Sequence, residues 1–365
     1  MTKAAHRFDN RDNEEELGEE SRSIIVSILT QVGTSMDLSK VTLPTFVLEP
    51  RSFTERITDF MSHPDVMLAA NRTEDPVQRF LIAVKSYMSG WHIHPRGVKK
   101  PYNPVLGEFF RGSYEVEKDT KAYFISEQVS HHPPMTAFYY TCPQEGIHIH
   151  GDLRPKSRFY GNSVGVVLNG LTKVYLEKWD ERYELSYPNM YARGIFFGKM
   201  ILEIGGKSYF KCEKSDLIFE VDFKVKGLLG GKHNKIAGKI KRISTNKVLY
   251  EVTGDWQHVM HYTPVEGKQK AAPEVLFDSK AEHRTPLIVN PIEMQEENES
   301  RRKWDQVSIA IKNDDLTSAT REKSKIEDKQ RHEVKIAKEK GIKFKPKFFC
   351  LGKDGRFGPL FDMYK

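Results

Sequence analysis

With 365 residues, 38% hydrophobic and 29% charged, the chain can build one large core or two ordinary domains, and no apolar run approaches the ~20 residues that a membrane-spanning helix needs. Three cysteines, Cys142, Cys212 and Cys350, are far apart and odd in number, which excludes a disulfide framework or a cysteine zinc site and suits a reducing compartment. The formal net charge of +7 is unevenly spread: residues 321–347 hold eleven Lys/Arg against five Asp/Glu, a local +6 that suits an anionic partner, either nucleic acid or an acidic membrane surface.

In chain order, residues 1–22 read as disordered, polar and acidic, with Glu14-Glu15-Glu16 and Glu19-Glu20 and no apolar core of a signal peptide, so a soluble cytosolic protein is expected. Ile24, Ile25, Ile28, Leu29 and Val32 recur at helical spacing and predict a short amphipathic helix over 23–32, ended by Gly33. An apolar flap over 36–46 follows, with Leu38, Val41, Leu43 and Phe46. Residues 52–61 open on Ser52 with Glu55 at capping-box spacing. The strongest helix signal is 75–90: an Asp75 cap, Pro76 in the first turn, an apolar stripe and a Gly90 stop.

The period then changes to two. Short alternating runs are predicted as strands at 109–116, 122–129, 135–141, 146–153, 164–168, 172–179, 182–187, 199–204, 207–212, 217–224, 235–243 and 247–256. So many closely spaced strands indicate an antiparallel barrel or sandwich, and closure would leave an interior wide enough for a ligand. Helix returns over 291–312 and again over 317–340, with Gly341 as the stop. Lys323, Glu327 and Arg331 sit at i, i+4 and i+8 and share one helix face, which by itself reads as a surface ion-pair ladder.

Few constellations carry chemistry. Gly161-Asn162-Ser163-Val164-Gly165 matches a nucleophile-elbow pattern, but strand-like residues follow it where a helix is required, so a hairpin turn is expected. The His92/His94 and His148/His150 pairs lack further ligands at metal spacing. Gly205-Gly206-Lys207 and Gly230-Gly231-Lys232 read as β-turns. No nucleophile, base and oxyanion hole assemble, so the chain reads as a binder without metal or cofactor rather than an enzyme. The distinctive stretch is Glu127-Gln128-Val129-Ser130-His131-His132-Pro133-Pro134. Its prolines restrict the backbone and its two imidazoles can donate to a phosphate, although alternation along a strand would send the two rings to opposite sides.

That octapeptide, with Lys99-Lys100-Pro101-Tyr102-Asn103-Pro104-Val105-Leu106-Gly107-Glu108 before it, resembles the oxysterol-binding-protein family of lipid-transfer proteins over residues 22–350. Val41 to Phe46, Arg193 to Met200 and Ile326 to Arg331 are similar to the short yeast members that carry phosphatidylserine. The resemblance implies a mainly β (α+β) fold: a near-complete antiparallel β-barrel around a lipid tunnel, with an N-terminal lid and helices and with C-terminal helices. It divides the single domain, 23–365, into a lid at 23–46, a helical segment at 50–98, the barrel at 105–260 and a C-terminal helical region at 285–350. It further implies exchange of phosphatidylinositol 4-phosphate for a second lipid, phosphatidylserine or a sterol, by a monomer that touches anionic membranes transiently at contact sites such as those of the endoplasmic reticulum and binds no nucleic acid. His131 and His132 would hold the 4-phosphate with Lys100 and Asn103. Lys323, Glu327 and Arg331 would face the inositol, and Leu43, with Lys100 and Asn103, the second lipid. Tyr102 stands where Leu or Phe is common in the family, a change that bears on head-group fit. The competing readings are a phosphoinositide sensor that recruits partners and an esterase using Ser163.

Overall fold

The computed structural model describes residues 23, 25–27, 45–94, 98–160, 162–195, 200–225, 233–266 and 269–360. Ser23 and residues 25–27 are helical, in keeping with the expected first helix. The remainder of that helix, the flap including Leu43 as far as residue 44, and Gly230-Gly231-Lys232 lie outside the described residues.

The helix Pro76–Ser89 forms as its sequence predicts. The Asp75 carboxylate accepts hydrogen bonds from the backbone N–H groups of Val77 and Gln78, at 3.0 and 2.8 Å. Its stripe of Phe80, Leu81, Val84, Tyr87 and Met88 is buried among Phe124, Phe138, Phe210, Phe219 and Val252 of the sheet. At the stop, a Cβ on Gly90 would lie 2.7 Å from the Phe60 backbone, so glycine permits the close approach of the preceding segment. That segment is a single α-turn, Phe53–Arg56, continued as a 3-10 helix over Ile57–Met61. The expected capping box does not form: Ser52 makes no side-chain cap bond, and Glu55 turns instead to Arg301 at 2.7 Å. A further helix, Pro64–Arg72, was not anticipated; its cap position is His63, not Ser, Thr, Asp or Asn, and makes no side-chain cap bond.

The strands are β1 Leu48–Ser52, β2 Lys100–Tyr102, β3 Phe109–Glu117, β4 Thr120–His131, β5 Pro134–Cys142, β6 Ile147–Leu153, β7 Pro155–Phe159, β8 Ser163–Leu168, β9 Leu171–Leu176 and β10 Glu181–Leu185. They continue with β11 Asn189–Arg193, β12 Ile201–Cys212, β13 Leu217–Lys224, β14 Lys235–Arg242, β15 Val248–Asp255, β16 Val259–Glu266, β17 Gln269–Lys270, β18 Glu274–Asp278, β19 Phe349–Leu351 and β20 Phe357–Pro359. β3 to β18 join in one sixteen-stranded sheet, ordered β17-β16-β15-β14-β13-β12-β10-β9-β6-β5-β4-β3 with β11, β8 and β7 branching from β12 and β18 flanking β16. Its ladders are antiparallel. β12 replaces the two strands expected around a Gly205-Gly206 turn: its first five residues pair with β11 and the rest with β13. Gly206, at φ +96°, lies where it changes partner, a conformation open mainly to glycine.

The sheet is thus large, antiparallel and accompanied by helices. Among the described residues no ladder joins β3 at one end to β17 or β18 at the other to close a ring. The free edge of β3 is covered by a returning segment: Ser113 and Ile288 exchange backbone hydrogen bonds at 2.9 and 2.8 Å, and Phe109 N–H donates to Asn298 O at 3.0 Å. The C-terminal region is helical over Ser300–Lys303, Asp305–Lys312 and Leu316–Glu339, with the break at Trp304 dividing the expected 291–312 helix. The β19–β20 hairpin then packs Phe349 against Val129, Ala137 and Tyr139.

Candidate functional site

The end of the β4–β5 hairpin meets two stretches distant in sequence: the turn after β2, and the long helix Leu316–Glu339. β4 stops at His131, β5 starts at Pro134, and these two residues pair across the turn. The Ser130 hydroxyl donates to Pro133 O at 2.8 Å. The ladder is already shifted between Gln128 and Ser130, and His132 belongs to the turn, so the strand alternation that would separate the two histidines does not apply. Their ring centroids lie 4.4 Å apart, edge to face, which corrects the expectation of opposite directions.

Asn103 Nδ2 lies 3.3 Å from His131 Nε2. From the long helix, Lys323 Nζ donates to Glu327 Oε1 at 2.6 Å, with Lys323 buried. Arg331 departs from that face: its guanidinium donates to Asp328 at 2.5 Å and is exposed. Lys100, on β2, retains accessible surface. Yet burial by the surrounding protein holds its ammonium below the ordinary lysine value; Lys323 adds to the depression and Glu327 opposes it. The Lys100 side chain is thus exposed at its surface but flanked closely enough by protein to be partly desolvated. Burial also lowers His131 to about 4, reinforced by His132 and opposed by Glu327. Lys100, Lys323 and His131 therefore all feel the charge of a single carboxylate, Glu327, which already serves Lys323, and His132 stands against His131.

Tyr102 does not enter this cluster. It is buried, its ring stacks on Trp304 at 4.7 Å, and its hydroxyl lies 3.0 Å from Ser308 Oγ.

The remainder of the signature octapeptide is architectural. Glu127 is buried and accepts from the backbone N–H groups of Lys347 and Phe348, at 2.7 and 2.8 Å; burial raises its pKa against those bonds. Gln128 donates to Ser130 O at 2.9 Å and accepts from Thr136 at 2.5 Å. Glu108 was overlooked as a site-builder. Fully buried, it accepts from Thr54 Oγ1 (3.0 Å), Ser300 Oγ (2.6 Å), Val105 N (3.0 Å) and Trp304 Nε1 (2.8 Å), joining the β2 turn to an N-terminal and a C-terminal helix. Glu108→Gln turns an amide N–H2 toward two of those donors and should cost about 2 kcal/mol, read as a lower urea midpoint. An unchanged midpoint would show that the hub carries no net stability. Gln330 was also overlooked, lying off the i, i+4, i+8 ladder. Its Oε1 accepts from Leu106 N at 2.7 Å, and its Nε2 approaches both His131 ring nitrogens at 3.4 Å.

Other sequence candidates settle elsewhere. Ser163 opens β8, which pairs with β7 and β11, and no helix follows to make a nucleophile elbow. His148 bridges Glu177 and Tyr139, each at 2.9 Å, and His92 faces His63 at 3.2 Å. Among the described residues no three His, Cys, Asp or Glu side chains gather as for a metal ion. No helix of the described residues is long and apolar enough to cross a membrane.

A family model described as oxysterol-binding protein matches residues 24–358. An oxysterol-binding protein homolog of Schizosaccharomyces pombe is 45% identical over 357 residues, 95% of this chain and 74% of that protein. Oxysterol-binding protein homolog 6 of Saccharomyces cerevisiae is 39% identical over 353 residues, 95% of this chain and 77% of that one. The fold is similar to a crystal structure of the Osh1 ORD domain in complex with cholesterol, at TM-score 0.79 and 19% identity, covering 96% of this chain and 89% of that one. It is also similar to the Osh3 ORD in complex with PI(4)P from Saccharomyces cerevisiae, at TM-score 0.70 and 18% identity, covering 95% and 91%. Since the match spans the histidine hairpin, the β2 turn and the long helix alike, the chain belongs to the oxysterol-binding protein family.

Proposed function

We propose that this protein is a lipid exchanger that takes phosphatidylinositol 4-phosphate from one membrane and carries phosphatidylserine in return. The observation that supports the reading is the histidine pair, its rings 4.4 Å apart with Asn103 beside them, together with a Lys323–Glu327 pair whose charges reach both Lys100 and His131. A phosphomonoester of roughly −1.5 to −2 charges is a fitting complement to that cluster. Asn103 supplies an amide beside it. Arg331 reaches the inositol only by releasing Asp328, and Leu43, outside the described residues, is assigned to the second lipid.

In this reading the sheet curls into a near-complete barrel, and an interior space beside Lys100 continues as an apolar tunnel. Each methylene buried there gains ~0.8 kcal/mol, so a dry tunnel competes with a bilayer for acyl chains. Two lipids that share one tunnel exclude each other, which is what exchange requires. The protein works as a cytosolic monomer, and the basic surface of the long helix touches anionic membrane transiently at contact sites. No catalytic step is involved. A sterol is the second reading for the returning lipid, favoured by the fold's similarity to Osh1 ORD structures that contain cholesterol and ergosterol.

Vesicle-to-vesicle transfer of labelled phosphatidylserine, a fluorescent sterol and phosphatidylinositol 4-phosphate tests the proposal. Phosphatidylserine movement accelerated by phosphatidylinositol 4-phosphate in the acceptor is expected, and it should disappear in the His131→Ala/His132→Ala protein. Sterol movement instead would replace the second lipid. Normal phosphoinositide extraction by the double variant would remove the site assignment, and binding without transfer would leave a sensor.

A further inference from the structure

Gln330 connects the long helix to both the turn after β2 and the histidine hairpin. Its Oε1 accepts from the Leu106 backbone N–H at 2.7 Å. A backbone N–H can only donate, so this bond settles which end of the amide is oxygen. The N–H2 end must then face His131, and it lies 3.4 Å from both ring nitrogens. Asn103 presents a second amide nitrogen, 3.3 Å from His131 Nε2.

An imidazolium has two N–H donors and no acceptor, whereas a neutral ring keeps one lone pair. A donor held against the ring therefore favours the neutral form. We propose that Gln330 is a positioning residue: by clipping the long helix to the turn after β2, it aims an amide donor at His131 and selects the neutral imidazole for the incoming phosphate. This deepens the phosphoinositide reading and rests on it for the identity of the ligand.

The groups around the ring support the assignment. On its own hairpin stands His132; on the long helix stand Glu327, Lys323 and the outward-turned Arg331; on β2 and its turn stand Lys100 and Asn103. Glu327 alone favours the charged ring, while burial and His132 oppose it and hold His131 at about 4. His131 therefore meets the phosphate as a neutral single donor, with the amide N–H2 of Gln330 or Asn103 held against its lone pair. The ring's orientation is set before the ligand arrives, and the positive charge of the site resides on the lysines. Gln330 also transmits position: a shift of the long helix relative to Leu106 would move the donor and the lysine–glutamate pair together.

Gln330→Glu is the informative variant. It keeps an oxygen for Leu106 N–H but turns a carboxylate toward His131, which favours the imidazolium. Gln330→Met loses both contacts. The first readout needs no ligand: the His131 ring signal is followed by NMR against pH. The wild-type midpoint should lie below pH 5, and Gln330→Glu should raise it by at least one unit, a tenfold change in proton affinity. Superimposable titrations would overturn the proposal.

The second readout is binding of short-chain phosphatidylinositol 4-phosphate between pH 7.5 and 5.5. The phosphate's own ionisation is common to all variants and cancels in the ratio of dissociation constants to wild type. For Gln330→Glu that ratio should fall at least fivefold on acidification, because the protonated ring offsets the added carboxylate. For Gln330→Met it should stay constant. Parallel behaviour of the two variants would reduce Gln330 to a structural clip and overturn ring selection. Failure of wild-type protein to bind the lipid at all would refute the functional reading, while the NMR titration would still decide the role of Gln330.

Discussion

Replacing Lys100 with methionine should abolish uptake of phosphatidylinositol 4-phosphate without weakening the fold. Lys100 is a cation kept where it is poorly solvated: burial and Lys323 both depress its pKa. Such a charge contributes nothing to folding that an isosteric apolar side chain would not, so the urea midpoint should hold or rise. Its value appears only when an anion arrives. Removing one partner of a desolvated charge pair costs about 2–5 kcal/mol of binding, or roughly thirty- to several-thousand-fold in dissociation constant. Calorimetric titration with a short-chain phosphoinositide, paired with urea unfolding, reads both effects. Affinity within threefold of wild type would remove Lys100 from the site. A lost affinity accompanied by a large drop in midpoint would make Lys100 a structural residue.

The opposite pattern is expected at Arg79. In the buried end of the Pro76–Ser89 helix its guanidinium makes two 2.8 Å bonds to Glu181, and Nη1 donates to Thr73 O and Glu74 O at 2.7 and 2.8 Å. Its centre sits 4.0 Å from the Trp179 ring, and the Tyr183 hydroxyl donates to the same carboxylate. Both charged side chains are 5% exposed. Arg79→Ala leaves the Glu181 carboxylate buried without its counter-charge, a change worth about 3–5 kcal/mol. Against a typical total of about 5–15 kcal/mol this is roughly a fifth of the stability at the least. Glu181→Gln should cost less, since Arg79 keeps its two backbone carbonyls. Urea unfolding of the two variants checks the order; equal and small losses would show that the pair is not needed to hold helix to sheet.

What could be read from the sequence and what could not divide along physical lines. Strands with one buried face announced themselves by alternation, as in β13, where Leu217, Phe219, Val221 and Phe223 face the core. β11 was invisible because all five of its residues are half-buried, so no period of two exists to detect. Pro264 lies within β16 and breaks its strand signal in the sequence, and β12 hid its continuity behind a glycine pair that ordinarily signals a turn. At the site, the octapeptide falls on the β4–β5 hairpin, and helical spacing placed Lys323 and Glu327 together. Neither could reveal that Arg331 turns to Asp328, or that Gln330 reaches Leu106, because those choices are made by tertiary neighbours. Glu127, at the head of the signature, likewise finds its partners in the backbone of residues 347 and 348, which no local pattern announces.

That last contact has a consequence for biosynthesis. Glu127 and the backbone N–H of Lys347 are separated by 220 residues. At about 5–20 residues per second, a ribosome takes about 10–45 s to bridge that interval. Throughout it the β4–β5 hairpin has no partner for a carboxylate that the finished molecule buries. The histidine turn can therefore reach its final setting only after the long helix and the tail behind it have emerged, which makes the nascent chain a client for chaperones during that wait and couples premature termination to loss of the site as well as of the tail.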